Sequence, residues 1–336
     1  MTTMAAVRVH AWGEPPLTER VSAPEQQHGE ALVRIDAAAV GHLDRTVAGG
    51  GFDVQPQLPY IGGVEGCGTI ISSATFATGT RVMLRGGGLG LTRDGTWAEV
   101  ARVPEKSLMT LPDGMGPALG ATYFVPLTTA AAALRSIGRI GSWEMPDVTT
   151  TAEEVVVVAG AGGAVGSLVA QLALRAGARV LGLVRDEEQA GRLPAGVEAL
   201  LANDIDRARE LRDERPATLL VDTLGGSQLA DRTHWVRPGG RSVLIGYVSG
   251  DETVLDLPNW LLQDVALLPT NMIRRSREAR QYAEELAHLL VTGELTLVVE
   301  EFGFDDAATV FDRMAKGGLK GRAVLRPTVD QNRSTP

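Results

Sequence analysis

The stretch Val155–Val184 reads VVVVAGAGGAVGSLVAQLALRAGARVLGLV, and it decides the fold of this chain. Its opening run, Val155–Ala159, is apolar without alternation, which is typical of a strand buried on both faces of a parallel sheet. A glycine cluster follows, and Ser167–Ala176 then contains good helix formers. Gly177 ends the predicted helix, and Ala178–Val184 is a second apolar strand. Strand, turn, helix and strand within about 30 residues predict one βαβ unit.

The glycine cluster predicts a dinucleotide-binding turn. Glycines let the backbone approach a pyrophosphate closely, and the N terminus of the next helix offers unpaired N–H groups and a positive dipole end. The predicted binding loop consists of Gly160, Ala161, Gly162, Gly163, Ala164, Val165 and Gly166. Its spacing is G-x-x-G-x-x-G, because Val165 stands where the usual G-x-G-x-x-G pattern ends. A transmembrane helix is the alternative for this uncharged run, but clustered glycines would interrupt it.

The end of the second strand predicts the choice of cofactor. An NAD site usually carries Asp or Glu about 20 residues after the turn, where the carboxylate binds the ribose 2′-hydroxyl. Here Val184 takes that place and Arg185 follows. Because a guanidinium can bind a 2′-phosphate bidentately, NADPH is favoured over NADH. The alternative is a solvated Arg185, since Asp186, Glu187 and Glu188 would repel a phosphate.

Composition limits the class of protein. The 336 residues suggest two domains, and 44% hydrophobic with 22% charged residues is ordinary for a soluble globular chain. The net charge of −9 argues against nucleic acid as a partner. Cys67 is the single cysteine, so no disulfide framework and no multi-cysteine zinc site is expected. We therefore expect a cytoplasmic enzyme with a small-molecule substrate and no membrane association.

The segments before the glycine turn predict a β-rich first domain. Ala5–His10, Ala31–Ala38 and Thr80–Arg85 are apolar or alternating runs, with turn residues between the first two. Further segments are VGHLDRTVAGGG at Val40–Gly51, LPYIGGVEGCG at Leu58–Gly68, GTWAEVARV at Gly95–Val103, LPDGM at Leu111–Met115 and GGLKGRAVLRP at Gly317–Pro327.

In this order the segments resemble the medium-chain dehydrogenase/reductase superfamily, and the glycine turn is similar to that of its zinc-independent quinone oxidoreductases. The resemblance runs from about Val7 to Pro327. It implies an α/β protein with a GroES-like β-rich domain over residues 1–122 and 296–336. It also implies a doubly wound Rossmann cofactor domain over residues 123–295.

The resemblance further implies that no metal is bound. Zinc alcohol dehydrogenases of the superfamily carry a cysteine ligand in the first segment and His-Glu in the glycine segment. The matching positions here are Gly41 and Val64-Glu65. Glycine and valine cannot ligate a metal, and a catalytic zinc needs three protein ligands. A zinc alcohol dehydrogenase is therefore the disfavoured alternative.

Further cofactor contacts are implied by the resemblance and by the α/β pattern. Thr129 belongs to a T-A-x-x-A-L helix that lies beside the cofactor in the family, with Thr128 as the alternative. Ligands of doubly wound sheets bind at the carboxyl ends of strands. The residues expected there beside the nicotinamide are Gly246, Tyr247, Val248 and Asn271. Helix packing and ordinary turn chemistry are the competing interpretations. Relatives form homodimers through an edge strand, expected here near Arg241–Val248 or its neighbour.

The resemblance does not identify a proton donor in this chain. Relatives commonly place a polar residue at the position of Gly41. The candidates left near the expected site are Tyr60, His42 and Asp44, each of which could instead be structural.

We expect a zinc-independent, NADPH-dependent reductase of a quinone or an α,β-unsaturated carbonyl, with quinones ahead because they need less acid assistance. The alternative is a non-catalytic NADPH-binding relative, crystallin-like or regulatory. The sequence identifies neither the acceptor nor a role for the loop Gly141–Glu153.

Overall fold

The structure is a computed structural model that describes residues 2–143 and 153–327. The chain divides into two compact units, the first formed by Met1–Tyr123 with Leu297–Pro336 and the second by Phe124–Thr296. Most of the predicted loop Gly141–Glu153 lies outside the described residues. Among the described residues, no helix has both the length and the apolar character needed to cross a membrane.

The first unit is mainly β-structure. Its strands and helices are β1 (Thr3–Val9), β2 (Leu17–Ser22), β3 (Glu30–Val40), α1 (His42–Ala48), β4 (Tyr60–Ile61), β5 (Glu65–Ser72), β6 (Arg81–Arg85), β7 (Val100–Pro104), β8 (Leu108–Thr110), α2 (Pro117–Gly120), β15 (Val299–Gly303), α10 (Ala307–Ala315) and β16 (Arg322–Arg326).

The long strand β3 organises the first unit. It pairs antiparallel with β5, β7 and β16 in a seven-stranded sheet. Its alternate residues Ala31, Val33 and Ile35 are buried, because successive side chains of a strand point to opposite faces. Ala323 of β16 pairs with Val40 at the end of β3. This pairing brings the end of the described chain beside the segment that begins at residue 41.

The second unit alternates strands and helices. Its elements are α3 (Phe124–Ala132, continued by a π-helical turn over Ala133–Ile137), β9 (Val155–Ala159), α4 (Ala164–Arg175), β10 (Arg179–Val184), α5 (Glu187–Ala190), β11 (Val197–Leu201), α6 (Ile205–Glu214), β12 (Ala217–Asp222), α7 (Leu229–Thr233), β13 (Val236–Leu244), α8 (Leu257–Gln263), β14 (Ala266–Pro269) and α9 (Ser276–Val291).

The six strands of this unit form one parallel sheet in the order β11-β10-β9-β12-β13-β14. The order reverses direction beside β9, which is the first strand in sequence and is buried along its whole length. This is the doubly wound arrangement, in which ligands bind where the strand order reverses. The predicted α/β fold class is confirmed.

Two predicted element boundaries were wrong. Helix α4 begins at Ala164 rather than at Ser167, because Gly163 takes the N-cap position and the last residues of the glycine loop form the first helical turn. Gly239 and Gly240 predict a turn before a strand over Arg241–Tyr247, yet β13 starts at Val236 and runs through both glycines. The positive φ of Gly239 and a register shift against β12 make a bulge there instead of a turn. β13 is also internal to the sheet, and its neighbour β14 is the edge strand.

Candidate functional site

The glycine loop of the second unit is packed so closely that side chains would not fit at two of its positions. Gly160 has a φ of +82°, and a Cβ there would overlap the hydroxyl of Thr223. A Cβ at Gly166 would overlap the carbonyl oxygen of Gly160. The first and last glycines therefore serve the tight turn and the close approach of helix to loop.

The middle of the loop is open. Gly163 is the N-cap of α4, and no side chain caps this helix. A Cβ at Gly163 would meet only the carbonyl oxygen of Gly160, at 3.3 Å. Uncapped N–H groups behind an open glycine fit the pyrophosphate of a dinucleotide. Such a cofactor supplies a hydride when it is bound.

The predicted ribose end of the site contains an additional side chain. Val184 is buried, and the exposed Arg185 donates from Nε to Asp186 Oδ2 at 2.9 Å. The Gln189 Oε1 accepts the backbone N–H of Arg185 at 3.1 Å. It also lies 2.9 Å from where a Cβ of Gly162 would be. The amide of Gln189 thus lies between the glycine loop and the end of β10. The sequence reasoning missed it because only the helical turn of α5 brings it there.

The other predicted cofactor residues are spread over the second unit. Thr128 and Thr129 are buried on α3. Gly246, Tyr247 and Val248 follow β13, and Asn271 follows β14, so these four lie at the carboxyl edge of the parallel sheet. The Asn271 Oδ1 accepts the backbone N–H groups of residues 273 and 274, both at 3.1 Å, which is turn chemistry. Their roles toward a cofactor stay predictions.

A buried ion pair that the sequence analysis did not identify shapes the same edge. Asp222, the last residue of β12, accepts the N–H groups of Leu224 and Gly225 on Oδ1, both at 2.8 Å. Its Oδ2 lies 2.6 Å from Arg232 Nε, and both side chains are almost completely buried. Arg232 also donates to the carbonyl oxygen of Gly225 at 2.7 Å. This pair fixes the turn that follows the strand.

Asp44 joins two segments of the first unit. Its Oδ2 accepts the Gly41 N–H at 2.8 Å, and its Oδ1 accepts the Val64 N–H at 2.9 Å. Burial raises the pKa of Asp44 to about 6, against the lowering effect of those two hydrogen bonds and of the Arg322 charge. The carboxylate thus connects the two positions at which zinc-containing relatives carry ligands.

A guanidinium lies at the same place. Arg322 Nη2 is 3.3 Å from Glu65 Oε2, with 15% of the arginine side chain and 1% of the glutamate exposed. A Cβ at Gly41 would be 3.1 Å from Arg322 Nη1. The described residues contain no group of three His, Cys, Asp or Glu side chains that could hold a metal. The residues present therefore do not fit a catalytic zinc.

The two remaining catalytic candidates, His42 and Tyr60, differ in exposure to solvent. His42 begins α1 with an exposed side chain. Partial desolvation, followed by the charges of Arg322 and Arg45, lowers its pKa. Tyr60 is 3% exposed and its ring packs 6.2 Å from that of Trp12. Burial, followed by the charge of Asp44, raises the pKa of Tyr60. Catalytic roles for His42, Asp44 and Tyr60 stay predictions.

Comparison with known proteins agrees with this arrangement. Residues 27–113 match the family described as alcohol dehydrogenase GroES-like domain, and residues 164–289 match zinc-binding dehydrogenase. The zinc-type alcohol dehydrogenase-like protein C337.11 of Schizosaccharomyces pombe is 34% identical over 208 residues, which span 62% of this chain and 58% of that protein. The human quinone oxidoreductase is 24% identical over 96% of this chain and 97% of its own length.

Solved structures give the same fold. The mycobacterial protein Rv1454c complexed with NADPH superposes with a TM-score of 0.80 at 21% identity, covering 96% of this chain and all of that chain. The class defined by the fold is the two-unit dehydrogenase/reductase with a dinucleotide-binding sheet. Within it, the chain belongs to the quinone oxidoreductase-like family of the medium-chain dehydrogenase/reductase superfamily, as the sequence motifs predicted.

Proposed function

We propose that this oxidoreductase uses NADPH, without zinc, to reduce a quinone or an α,β-unsaturated carbonyl. Two observations carry the proposal. The second unit has an open glycine loop, and the first unit has no ligand atoms at the two positions where zinc-containing relatives bind the metal. Gly41 and Val64 offer no ligand atoms, and Arg322 brings a cation next to them. Because such a site has no Lewis acid to polarise an alcohol, hydride transfer to an activated acceptor is the chemistry left to it.

NADPH rather than NADH is favoured by the end of β10. No carboxylate occupies position 184 to bind a ribose hydroxyl, and Arg185 is exposed beside it. The hydrogen bond from Arg185 to Asp186 has to give way for the guanidinium to bind a 2′-phosphate. The related Rv1454c structure contains NADPH, which supports the same choice.

The experiment follows NADPH and NADH oxidation by the purified protein against quinones and enones, with and without a chelator. We expect oxidation of NADPH that the chelator leaves unchanged. A preference for NADH would refute the assignment of Arg185. Chelator-sensitive turnover would refute the zinc-free site. Tight NADPH binding without turnover of any acceptor would favour the non-catalytic alternative.

A homodimer in the cytoplasm completes the proposal. Among the described strands β14 pairs only with β13, so its outer edge is open for a strand of a second copy. The preceding helix α8 exposes Leu261 and Leu262 by 77% and 81%. Light scattering should give twice the chain mass, and Leu262→Glu should reduce the measured mass.

The proposed cytoplasmic location rests on the single cysteine, Cys67, which is buried.

A further inference from the structure

A short turn over residues 223–226 directly follows β12, at the carboxyl edge of the parallel sheet of the second unit. The strand order β11-β10-β9-β12-β13-β14 reverses beside β9, so a dinucleotide lies with one half on each side of this strand. The adenosine half is expected at the end of β10, where its ribose was predicted. The nicotinamide half is then left to the ends of β12 and β13, and the turn lies between them and the glycine loop.

The turn is docked on the glycine loop through Thr223. The hydroxyl of this residue donates to the carbonyl oxygen of Ala159 at 2.8 Å, and its N–H donates to the same oxygen at 3.2 Å. A Cβ at Gly160 would overlap that hydroxyl, so the absence of a side chain at position 160 makes room for Thr223. Any displacement of the turn is therefore felt at the start of the glycine loop.

The other side of the turn contacts the loop that follows β13. The Ser249 N–H donates to the carbonyl oxygen of Leu224 at 2.8 Å. A Cβ at Gly246 would be 2.6 Å from the carbonyl oxygen of Thr223, and a Cβ at Gly225 would be 2.8 Å from that of Gly246. Such close contact between two backbones needs glycine on both sides. A displaced turn therefore also displaces the loop that carries the residues predicted to lie beside the nicotinamide.

One buried ion pair holds the turn in place. Asp222 caps it, because Oδ1 accepts the N–H groups of both Leu224 and Gly225. Arg232, on α7, binds Asp222 Oδ2 through Nε at 2.6 Å and the Gly225 carbonyl oxygen through Nη2 at 2.7 Å. A neutral side chain at position 222 would be enough to cap the turn. A buried ion pair contributes little net stability compared with apolar side chains, so the specific effect of Arg232 is on geometry.

We propose that Asp222 and Arg232 form a positioning pair for the nicotinamide half of the cofactor. This inference rests on the proposed function, because it requires a bound nicotinamide dinucleotide. The pair touches no reacting atom. It fixes the turn over residues 223–226, and the turn fixes the glycine loop on one side and the loop after β13 on the other. Loss of the pair weakens binding of the nicotinamide half, while the adenosine half at the end of β10 keeps its contacts.

The main test uses the charge-balanced double variant Asp222→Asn with Arg232→Met. Removing the arginine alone would leave a buried carboxylate unpaired. In the double variant the Oδ1 of the asparagine still accepts both N–H groups of the turn, so the connection to α7 is what is lost. Calorimetric titration gives the dissociation constants of NADPH and of adenosine 2′,5′-bisphosphate, which lacks the nicotinamide half.

The two ligands should respond differently to this variant. We expect the dissociation constant of NADPH to rise at least about tenfold, as for loss of one charge-assisted hydrogen bond. That of adenosine 2′,5′-bisphosphate should stay within about twofold of the wild type, because its contacts lie on the other side of β9. A merely structural defect would weaken both ligands alike.

A milder variant and a matched control accompany the test. Arg232→Lys keeps the charge, but an ammonium group cannot reproduce the fork that binds Asp222 and Gly225 together. It should raise the dissociation constant of NADPH by less than the double variant, again without affecting the bisphosphate. Arg241→Met with Glu154→Gln removes another buried ion pair of the same unit, 2.9 Å apart and next to the amino end of β9. It should leave the ratio of the two dissociation constants unchanged.

The outcomes are distinguishable. An unchanged affinity for NADPH in the folded double variant overturns the positioning role, and so does equal weakening of both ligands. If circular dichroism shows that the double variant is unfolded, Arg232→Lys decides by the same comparison. A wild type that binds NADPH but reduces no acceptor refutes the proposed reductase activity, whereas selective weakening in the variants still supports the pair. A wild type that binds neither NADPH nor NADH refutes both.

Discussion

The glycine loop of the second unit and the polar cluster of the first are built in opposite ways. The loop is one contiguous stretch, residues 160–166, whose conformation follows from its own glycines. The polar cluster, formed by Gly41, Asp44, Glu65 and Arg322, combines residues from three distant parts of the chain. A contiguous site can be identified by its spacing, whereas a dispersed site exists only after strand pairing.

The largest effect is expected where the loop has no spare room. In Gly166→Ala the new Cβ overlaps the Gly160 carbonyl oxygen, so the helix or the loop must shift. We expect a loss of unfolding free energy of roughly 1–3 kcal/mol or more, together with loss of NADPH binding. Gly163→Ala is the matched control. It should fold nearly normally but bind NADPH at least about tenfold more weakly, because the methyl group covers the open loop. Equal stability of the two variants would refute the packing argument.

The second effect tests the buried carboxylate of the polar cluster. Asp44→Asn can accept only one of the two N–H groups, and we expect a loss of roughly 1–3 kcal/mol in unfolding free energy at pH 4. The folded pKa of Asp44, about 6, lies above its ordinary value of 3.8. The folded state therefore holds a proton that the unfolded state releases between these values. The contribution of Asp44 to stability is complete below pH 3.8 and is lost as pH rises through 6.

Denaturant titrations at several pH values measure this effect. The unfolding free energy of the wild type minus that of Asp44→Asn should fall by a few kcal/mol between pH 4 and pH 7, at roughly 1.4 kcal/mol per unit of pKa shift. The charged neighbours Glu65, Arg322, Arg45 and His42 remain in both proteins, so the difference isolates Asp44. A difference that rises with pH would mean that the folded pKa is lowered rather than raised.

A smaller effect concerns the edge of the glycine loop. Arg185→Ala should reduce the preference for NADPH over NADH by about tenfold or more, as for one charge-assisted hydrogen bond. Asp186→Asn should increase that preference, since it removes the carboxylate that holds Arg185. Arg179→Ala, at the other end of β10 and paired with Glu198, is the control and should change neither. Steady-state kinetics with both cofactors measure the ratio.

The smallest effect is expected in the core beside the polar cluster. Tyr60 packs with Trp12 and the buried Val9 and Val47, so Tyr60→Phe preserves the packing. Both kcat and the unfolding free energy should stay within about twofold and about 1 kcal/mol of the wild type. A fall in kcat of more than tenfold would instead identify the Tyr60 hydroxyl as the proton donor. Trp12→Ala, which opens a cavity beside the ring, should destabilise far more.

Sequence reasoning succeeded where the signal was local. The strand Val155–Ala159 has the predicted bounds, because a buried parallel strand is a short apolar run. It failed at β13. Gly239, Gly240 and Arg241 have the local sequence pattern of a turn, but the strand continues through them with a bulge, and Arg241 is buried. Gln189 was missed for a related reason, since a glutamine five residues after the end of a strand has no local pattern that marks it.

What the sequence by itself determined is the βαβ unit, its glycine loop and the absence of metal-ligating side chains at Gly41 and Val64. Each of these follows from residue types at fixed local spacing, which set backbone freedom, burial and ligand chemistry. Only the tertiary structure decided which side chains lie beside Gly41. The antiparallel pairing of β16 with β3 carries Arg322 across the chain to Gly41 and Glu65. Strand pairing between such distant segments is governed by the packing of the whole sheet, and no local pattern encodes it.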